Sequence, residues 1–277
     1  MTVYPFILHL GPLEITGYGL MMMVGFLTGS WLVQLELRRW GLREEYASDM
    51  TLAAVIGGII GAKLWYVALT QDPGALFSRG GLVWYGGFAG GALGVWLNGL
   101  RLKVPTAFTA HLVAPALAAA YALGRVGCFL VNDDYGRPTT LPWGMKFPQG
   151  MPPSTVANLR SQFGVSLPAD LDPSTVLAVH PTQLYEAVLM LGAFFVLWAW
   201  RGRAKGTGWL FGLYLVFAGV ERFVIEVLRA KDDRFLGPFT VAQLVSVLLV
   251  IIGATVMARR ANAPAVDPGP YFAKVAT

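Results

Sequence analysis

Seven apolar stretches, near residues 15–36, 49–70, 82–100, 108–130, 182–200, 208–228 and 239–258, each come close to the roughly 20 residues that a helix needs to cross a bilayer. Inside hydrocarbon every backbone amide and carbonyl must be satisfied within the segment, so stretches of this kind are predicted as helices. Only 13% of the residues are charged and 55% are hydrophobic, against roughly 25% charged in a soluble domain. That balance excludes a soluble globular fold, a disordered chain and a collagen-like repeat. Cys128 is the only cysteine, so packing and not an intramolecular disulfide must supply stability. The prediction is an all-α polytopic membrane protein of about seven transmembrane helices, with one helical domain over 1–260 and no internal repeat.

The first stretch lacks a basic leader and a small-residue cleavage site, so it is expected to be a retained helix, with the mature chain beginning close to Met1. The net charge is +5 and the pI near 9.4, but most of the Lys and Arg lie between the apolar stretches. They therefore point to topology and not to a nucleic-acid partner. Arg38, Arg39 and Arg43, then Arg101 and Lys103, then Arg201, Arg203 and Lys205, then Arg259 and Arg260 follow every odd stretch. The positive-inside rule makes those loops cytoplasmic, the N-terminus external and the C-terminus internal. The loop with Arg229, Lys231 and Arg234 dissents, balanced by Asp232 and Asp233, and is taken as a functional polar rim.

One long insertion, 131–181, is rich in Pro and Gly and falls outside by this topology. Loops of that length are usually functional or disordered. A short helix is expected over 154–164, capped by Ser154. The end from Ala261 has the Pro and small-residue content of a disordered cytoplasmic tail.

Ionisable residues inside spans are costly and mark function by default. They are Lys63, Arg125, Glu186, Glu221, Arg222 and Glu226. Arg222 and Glu226 are four apart and share a helix face, which also suits a satisfied ion pair that merely fixes register. Lys63, Arg125 and Arg222 come from three stretches at similar depth, more positive charge than Glu221 and Glu226 require. A bound anion would balance them, and in the outer leaflet that is most simply a lipid phosphate gripped by bidentate guanidinium.

Glycines crowd the third stretch, from Gly80 to Gly94, as close helix packing requires. Gly86 and Gly87, beside Tyr85, could instead let a substrate approach the backbone. Trp65, Tyr66, Trp84, Trp143 and Trp209 fit interfacial belts, whereas Tyr18 and Tyr85 each precede glycine at the outer end of a stretch, where a phenol could donate to phosphate. His9 and His111 have no evident partner, and His180 precedes Pro181 at the entry to the fifth stretch. No metal-ligand cluster, phosphate loop or dinucleotide fingerprint is present, and no cofactor or metal is expected.

The segment GRVGCFLVNDDYGR at 124–137, with YGL at 18–20, GAKLWYV at 61–67, YGG at 85–87, HPTQLYE at 180–186 and ERFVIE at 221–226, resembles the bacterial prolipoprotein diacylglyceryl transferases. The likeness runs in order from about 11 to 258. It implies an inner-membrane enzyme that moves diacylglyceryl from phosphatidylglycerol to the lipobox cysteine thiol of a preprolipoprotein. By the same resemblance Arg125 and Arg222 match the family's essential arginines, Tyr18 its first-span tyrosine and Gly136 a signature glycine. Asp133 stands for the usual Glu and Lys63 for the usual Arg. Tyr85 replaces the usual His and Cys128 the usual Asn; a required histidine base would leave this chain slow, altered or inactive. The acceptor thiol, near pKa 8.5, is already partly ionised at neutral pH, however, and cations lower its pKa further, so arginine could activate it without a base. The expected site is thus Arg125, Arg222 and Tyr85 for catalysis, with Tyr18, Lys63, Gly86, Asp133, Gly136 and Glu226 binding substrate. The rival from another class is a non-catalytic lipid- or anion-binding protein or transporter on the same fold.

Overall fold

The computed structural model describes residues 1–11, 13–77, 81–202, 206–230, 234–236 and 239–272. Gly80, Arg203, Lys205, Lys231, Asp232, Asp233 and the last five residues lie outside them. A two-stranded antiparallel hairpin, β1 (Ile7–Leu10) and β2 (Leu13–Thr16), leads into α1 (Gly17–Arg39). Then come α2 (Glu45–Thr70), α3 (Trp84–Arg101), α4 (Thr106–Leu130), the short α5 (Val156–Ser161), α6 (Thr182–Trp200) and α7 (Trp209–Leu228). A second small hairpin, β3 (Arg234–Leu236) and β4 (Phe239–Thr240), precedes α8 (Val241–Arg260).

The seven long helices fall on the seven apolar stretches to within a few residues. Among the described residues, five of them, α1, α2, α4, α6 and α8, are long and apolar enough to cross a membrane. The other two long helices, α3 and α7, fall short by composition. α7 carries Glu221, Arg222 and Glu226, and α3 is short and spends much of its length on glycine.

Local chemistry sets the helix starts. Thr16 Oγ accepts from the amide of Gly19 at 3.2 Å, and Thr240 with Gln243 forms a reciprocal capping box at the head of α8. The helices pair through small residues. α2 lies along α3, where a Cβ on Gly57 would stand 2.4 Å from the Gly90 carbonyl oxygen and one on Gly61 2.3 Å from that of Gly86. α7 lies along α8 through Gly212 and Gly253. α1, α4 and α6 form the body, with α4 buried at Phe108, Leu112, Ala114, Ala118 and Ala122. α3 packs chiefly on α2 and only lightly on α4, so the α2–α3 pair is an arm beside the body.

The 131–181 insertion is folded. Tyr135, Phe147, Leu159 and Val179 form its core together with Ala230. α5 is capped by Thr155, not by Ser154 as expected: the Ser154 hydroxyl is buried, accepting from the Phe147 amide and donating to the Leu177 carbonyl. At the other end of the bundle Glu36, almost fully buried, is held by Arg39 and, at 3.1 Å, by Arg201. His111, there too, accepts the Gly208 amide at Nδ1, a structural role.

The expected disordered tail is corrected as far as Phe272. Pro270–Phe272 forms a turn that buries Phe272 against Tyr46 and Phe108, and Tyr271 donates to Asp49 at 2.9 Å. Two adjacent aromatic rings bury enough surface to offset the entropy of ordering a polar, Pro-rich segment.

Candidate active site

Three helix ends and one turn meet beside the folded insertion. The last turns of α4 carry Arg125, the second turn of α6 carries Glu186, the second half of α7 carries Arg222 and Glu226, and Arg229 follows at the C-cap of α7. The turn after α4 adds Asp134. These six side chains close into a ring of alternating charge. Arg125 pairs with Glu186; Glu186 lies 3.7 Å from Arg222; Arg222 reaches Glu226 at 2.6 Å; Glu226 stands 4.0 Å from Arg229; Arg229 holds Asp134 at 2.6 Å; and Asp134 returns to Arg125 at 3.1 Å.

The ring corrects the charge count made from the sequence. Three guanidiniums face three carboxylates, so Arg125 and Arg222 bring no surplus of positive charge to the ring, and Lys63 is not one of its members. Arg229, Asp134 and Glu186 make the difference. Arg229 had a legible signal, since it lies three residues beyond Glu226 and seven beyond Arg222 on the same helix face. Glu221 is buried apart from the ring, accepting from the Tyr121 hydroxyl at 3.4 Å.

Backbone bonds lock the three motif segments together. The Gly136 amide donates to the His180 carbonyl at 2.8 Å, the Arg137 amide to the Leu228 carbonyl at 2.8 Å, and the Thr182 hydroxyl to the Asp134 carbonyl at 2.8 Å. Gln183 donates to the carbonyl of Asp133. A Cβ on Gly136 would stand 2.6 Å from the Leu228 carbonyl oxygen, so this glycine permits the close junction of the two segments.

Asp133 and Cys128 lie beside the ring. Arg125 Nη1 approaches Cys128 Sγ at 3.5 Å, and Tyr18, touching Gly127 across the α1–α4 contact, is within electrostatic reach of Cys128, Asp133 and Arg125. Burial, with the neighbouring Asp134 charge, pushes the Asp133 carboxyl up to about 6. Asp134 behaves oppositely: partial desolvation alone would raise it, but Arg229 and Arg125 outweigh that and hold it below the usual carboxylate range. Ligand-type atoms of Cys128, Asp133 and Asp134 fall within 4.8 Å of one another, yet the Arg125 guanidinium already lies against two of the three.

The remaining predicted residues sit elsewhere. Lys63, Tyr85 and Gly86 are on the α2–α3 arm, whereas all six ring members come from α4, α6, the end of α7 and the 134 turn. Tyr85 is 68% exposed, its ring edge-on to Trp84 at 5.3 Å. Among the described residues no hydrogen bond or ion pair joins it to Arg125 or Arg222. Gly86 is corrected from substrate approach to packing: a Cβ there would stand 2.3 Å from the Gly61 carbonyl oxygen and 2.4 Å from Trp65 Cβ.

Fold and ring together define a polytopic helical membrane protein with an ionic centre at one end of its bundle. The family model described as prolipoprotein diacylglyceryl transferase matches residues 5–259, and the chain belongs to that family. Relatives named phosphatidylglycerol–prolipoprotein diacylglyceryl transferase include one from Clostridium tetani, 32% identical over 256 residues that cover 90% of this chain and 94% of the relative. One from Cupriavidus metallidurans is 31% identical over 282 residues, covering 93% and 94%. A Streptomyces coelicolor relative bearing that name with the suffix 2 is 34% identical over 246 residues, covering 83% and 71%.

Proposed function

We propose that this chain transfers the diacylglyceryl group of phosphatidylglycerol to the lipobox cysteine of a preprolipoprotein, at the outer face of a bacterial inner membrane. The observation that carries the reading is the convergence of Arg125 and Arg222, from different helices, on one buried carboxylate in a member of this transferase family. Guanidinium groups held in place by carboxylates are preorganised, so little reorganisation opposes their turning to an incoming phosphate. In the reaction the substrate thiolate attacks the glycerol carbon that bears the phosphate. A carbon–sulfur bond forms, the carbon–oxygen bond breaks, and the electron pair leaves on the phosphate oxygen as glycerol phosphate. The thiol proton goes to water or to the released phosphate. The two arginines stabilise the charge that grows on the leaving oxygen, and the enzyme contributes orientation more than a nucleophile of its own.

All seven long helices span in this reading, with the N-terminus outside and the basic loops inside. The 131–181 insertion then forms an external platform for the acceptor, and the α2–α3 arm with Lys63 and Tyr85 flanks the path by which lipid arrives from the bilayer. Cys128 serves packing and hydrogen bonding to Arg125, not covalent catalysis. The balanced ring favours one second reading, a lipid-binding protein whose ion pairs only fix helix register. Arg125→Lys and Arg222→Lys separate the two, because a point charge cannot replace the planar fork. Transfer to a lipobox peptide from phosphatidylglycerol should be lost in both while insertion persists. Near-normal turnover in either would remove the phosphate clamp, and absence of turnover in the parent would favour the second reading.

A further inference from the structure

Every anion in the ring is the protein's own, and a phosphate at Arg125 or Arg229 competes with the carboxylates that already hold these two largely buried guanidiniums. Burial decides which of them yields. The side chains of Glu186 and Glu226 are each 1% exposed, whereas that of Asp134 is 41% exposed. Turning either glutamate away would leave a buried charge unpaired, which is strongly unfavourable. Asp134 can rotate toward solvent. Its main chain need not move, being held by Thr182 at the carbonyl in a left-handed turn, φ 56°. Its two carboxylate oxygens go to different partners, Oδ2 to Arg125 Nη1 at 3.1 Å and Oδ1 to Arg229 Nη2 at 2.6 Å. Both guanidiniums are largely buried, 12% and 13% exposed.

We propose that Asp134 is a resident stand-in for the substrate's phosphate: its carboxylate occupies a seat between Arg125 and Arg229 that the two non-bridging oxygens of a phosphodiester take over when the donor lipid binds. The exchange breaks no covalent bond and keeps the ring balanced, since one anion replaces another while Asp134 becomes solvated. It makes Arg229 a further phosphate-binding residue. It also makes Asp134 a specificity-determining residue, because the seat opens only to a ligand that outbids a tethered carboxylate. Neutral diacylglycerol, which brings no anion, does not open it. The inference rests on the transferase reading for the identity of the donor, but its test is a binding measurement and needs no turnover.

The full-length protein in detergent is titrated calorimetrically with short-chain phosphatidylglycerol, with glycerol phosphate and with short-chain diacylglycerol. Asp134→Asn should bind the phosphorylated probes about tenfold more tightly, the lower end of what one charge-assisted hydrogen bond contributes. Diacylglycerol affinity should not change, and Asp134→Glu should stay near the parent. Arg229→Gln should weaken phosphate binding, and in that background Asp134→Asn should have no further effect. A gain with both phosphorylated probes supports the seat for donor and product; a gain with the lipid alone supports it for the donor. Unchanged or weaker phosphate binding in Asp134→Asn, or the same gain without Arg229, overturns the proposal. Asp134→Ala carries the same expectation if the asparagine variant does not purify folded. Loss of transfer activity in the parent would sink the donor assignment while leaving the binding result intact.

Discussion

Arg222 Nη2 stands 2.6 Å from Glu226 Oε2, one turn along the same helix, and its other terminal nitrogen lies 3.7 Å from Glu186 of a different helix. The first contact belongs to α7 alone. The second ties α7 to α6, and through Arg125 to α4. Glu186 is therefore the carboxylate whose loss should cost most, since it alone is both buried, 1% exposed, and bonded to guanidiniums of two other helices, Arg125 of α4 and Arg222 of α7. Breaking a buried pair on one side typically costs about 3–5 kcal/mol. Glu186→Ala should lower the thermal unfolding midpoint in detergent by a clear margin, and an unchanged midpoint would show that the ring does not hold the helices together.

Tyr85 should matter little to the chemical step. A phenol bonded to a charged group is worth about 1.5–3 kcal/mol, or ten- to a hundredfold in rate. Tyr85 is exposed on the α2–α3 arm. Tyr85→Phe is expected to retain transfer within about tenfold of the parent. A variant slower than a hundredfold would place the phenol in direct contact with the reacting groups.

Close glycine contacts between α2 and α3 give a contrast within one residue type. A Cβ at Gly90 would lie 2.2 Å from the Gly57 carbonyl oxygen, while at Gly192 on α6 nothing lies within 4 Å. Overpacking typically costs about 1–3 kcal/mol. Gly90→Ala should destabilise the protein by roughly that much, and Gly192→Ala should be neutral or slightly stabilising through helix propensity. Equal effects at the two sites, in paired thermal unfolding curves, would contradict the packing of the arm.

Asp133 should leave a signature in pH dependence. Its folded carboxyl is raised to about 6, above the roughly 3.9 of a free aspartate. Between those values the folded state holds more protons than the unfolded state, so stability falls as pH rises through that window. Asp133→Asn should flatten this slope relative to the parent. Identical slopes from pH 4 to 6.5 would show that the carboxyl is not desolvated.

The helices were legible because each depends on residues next to one another. Long apolar runs fix where backbone must be helical, and α6 begins and ends where its run does. The pairing of Arg222 with Glu226 followed from their spacing for the same reason. The packing of the tail did not, because Phe272 acquires its pocket from Tyr46 and Phe108, residues more than 150 positions away. Nor did the placement of Gly86, which looks alike in sequence whether its neighbour is a substrate or Gly61.

By itself, then, the sequence determined the apolar stretches, their helical form, the family motifs and the residues that carry charge among them. Only the tertiary structure decided which charges meet. Asp134 and Arg229 are 95 residues apart, and their distance in space is set by how α4, α6 and α7 pack, not by either local segment. Coulomb energy depends on that distance and on burial. Arg125 and Arg222, which suggested an unfilled cationic site along the chain, are, once folded, members of a closed ring with one exposed carboxylate in it.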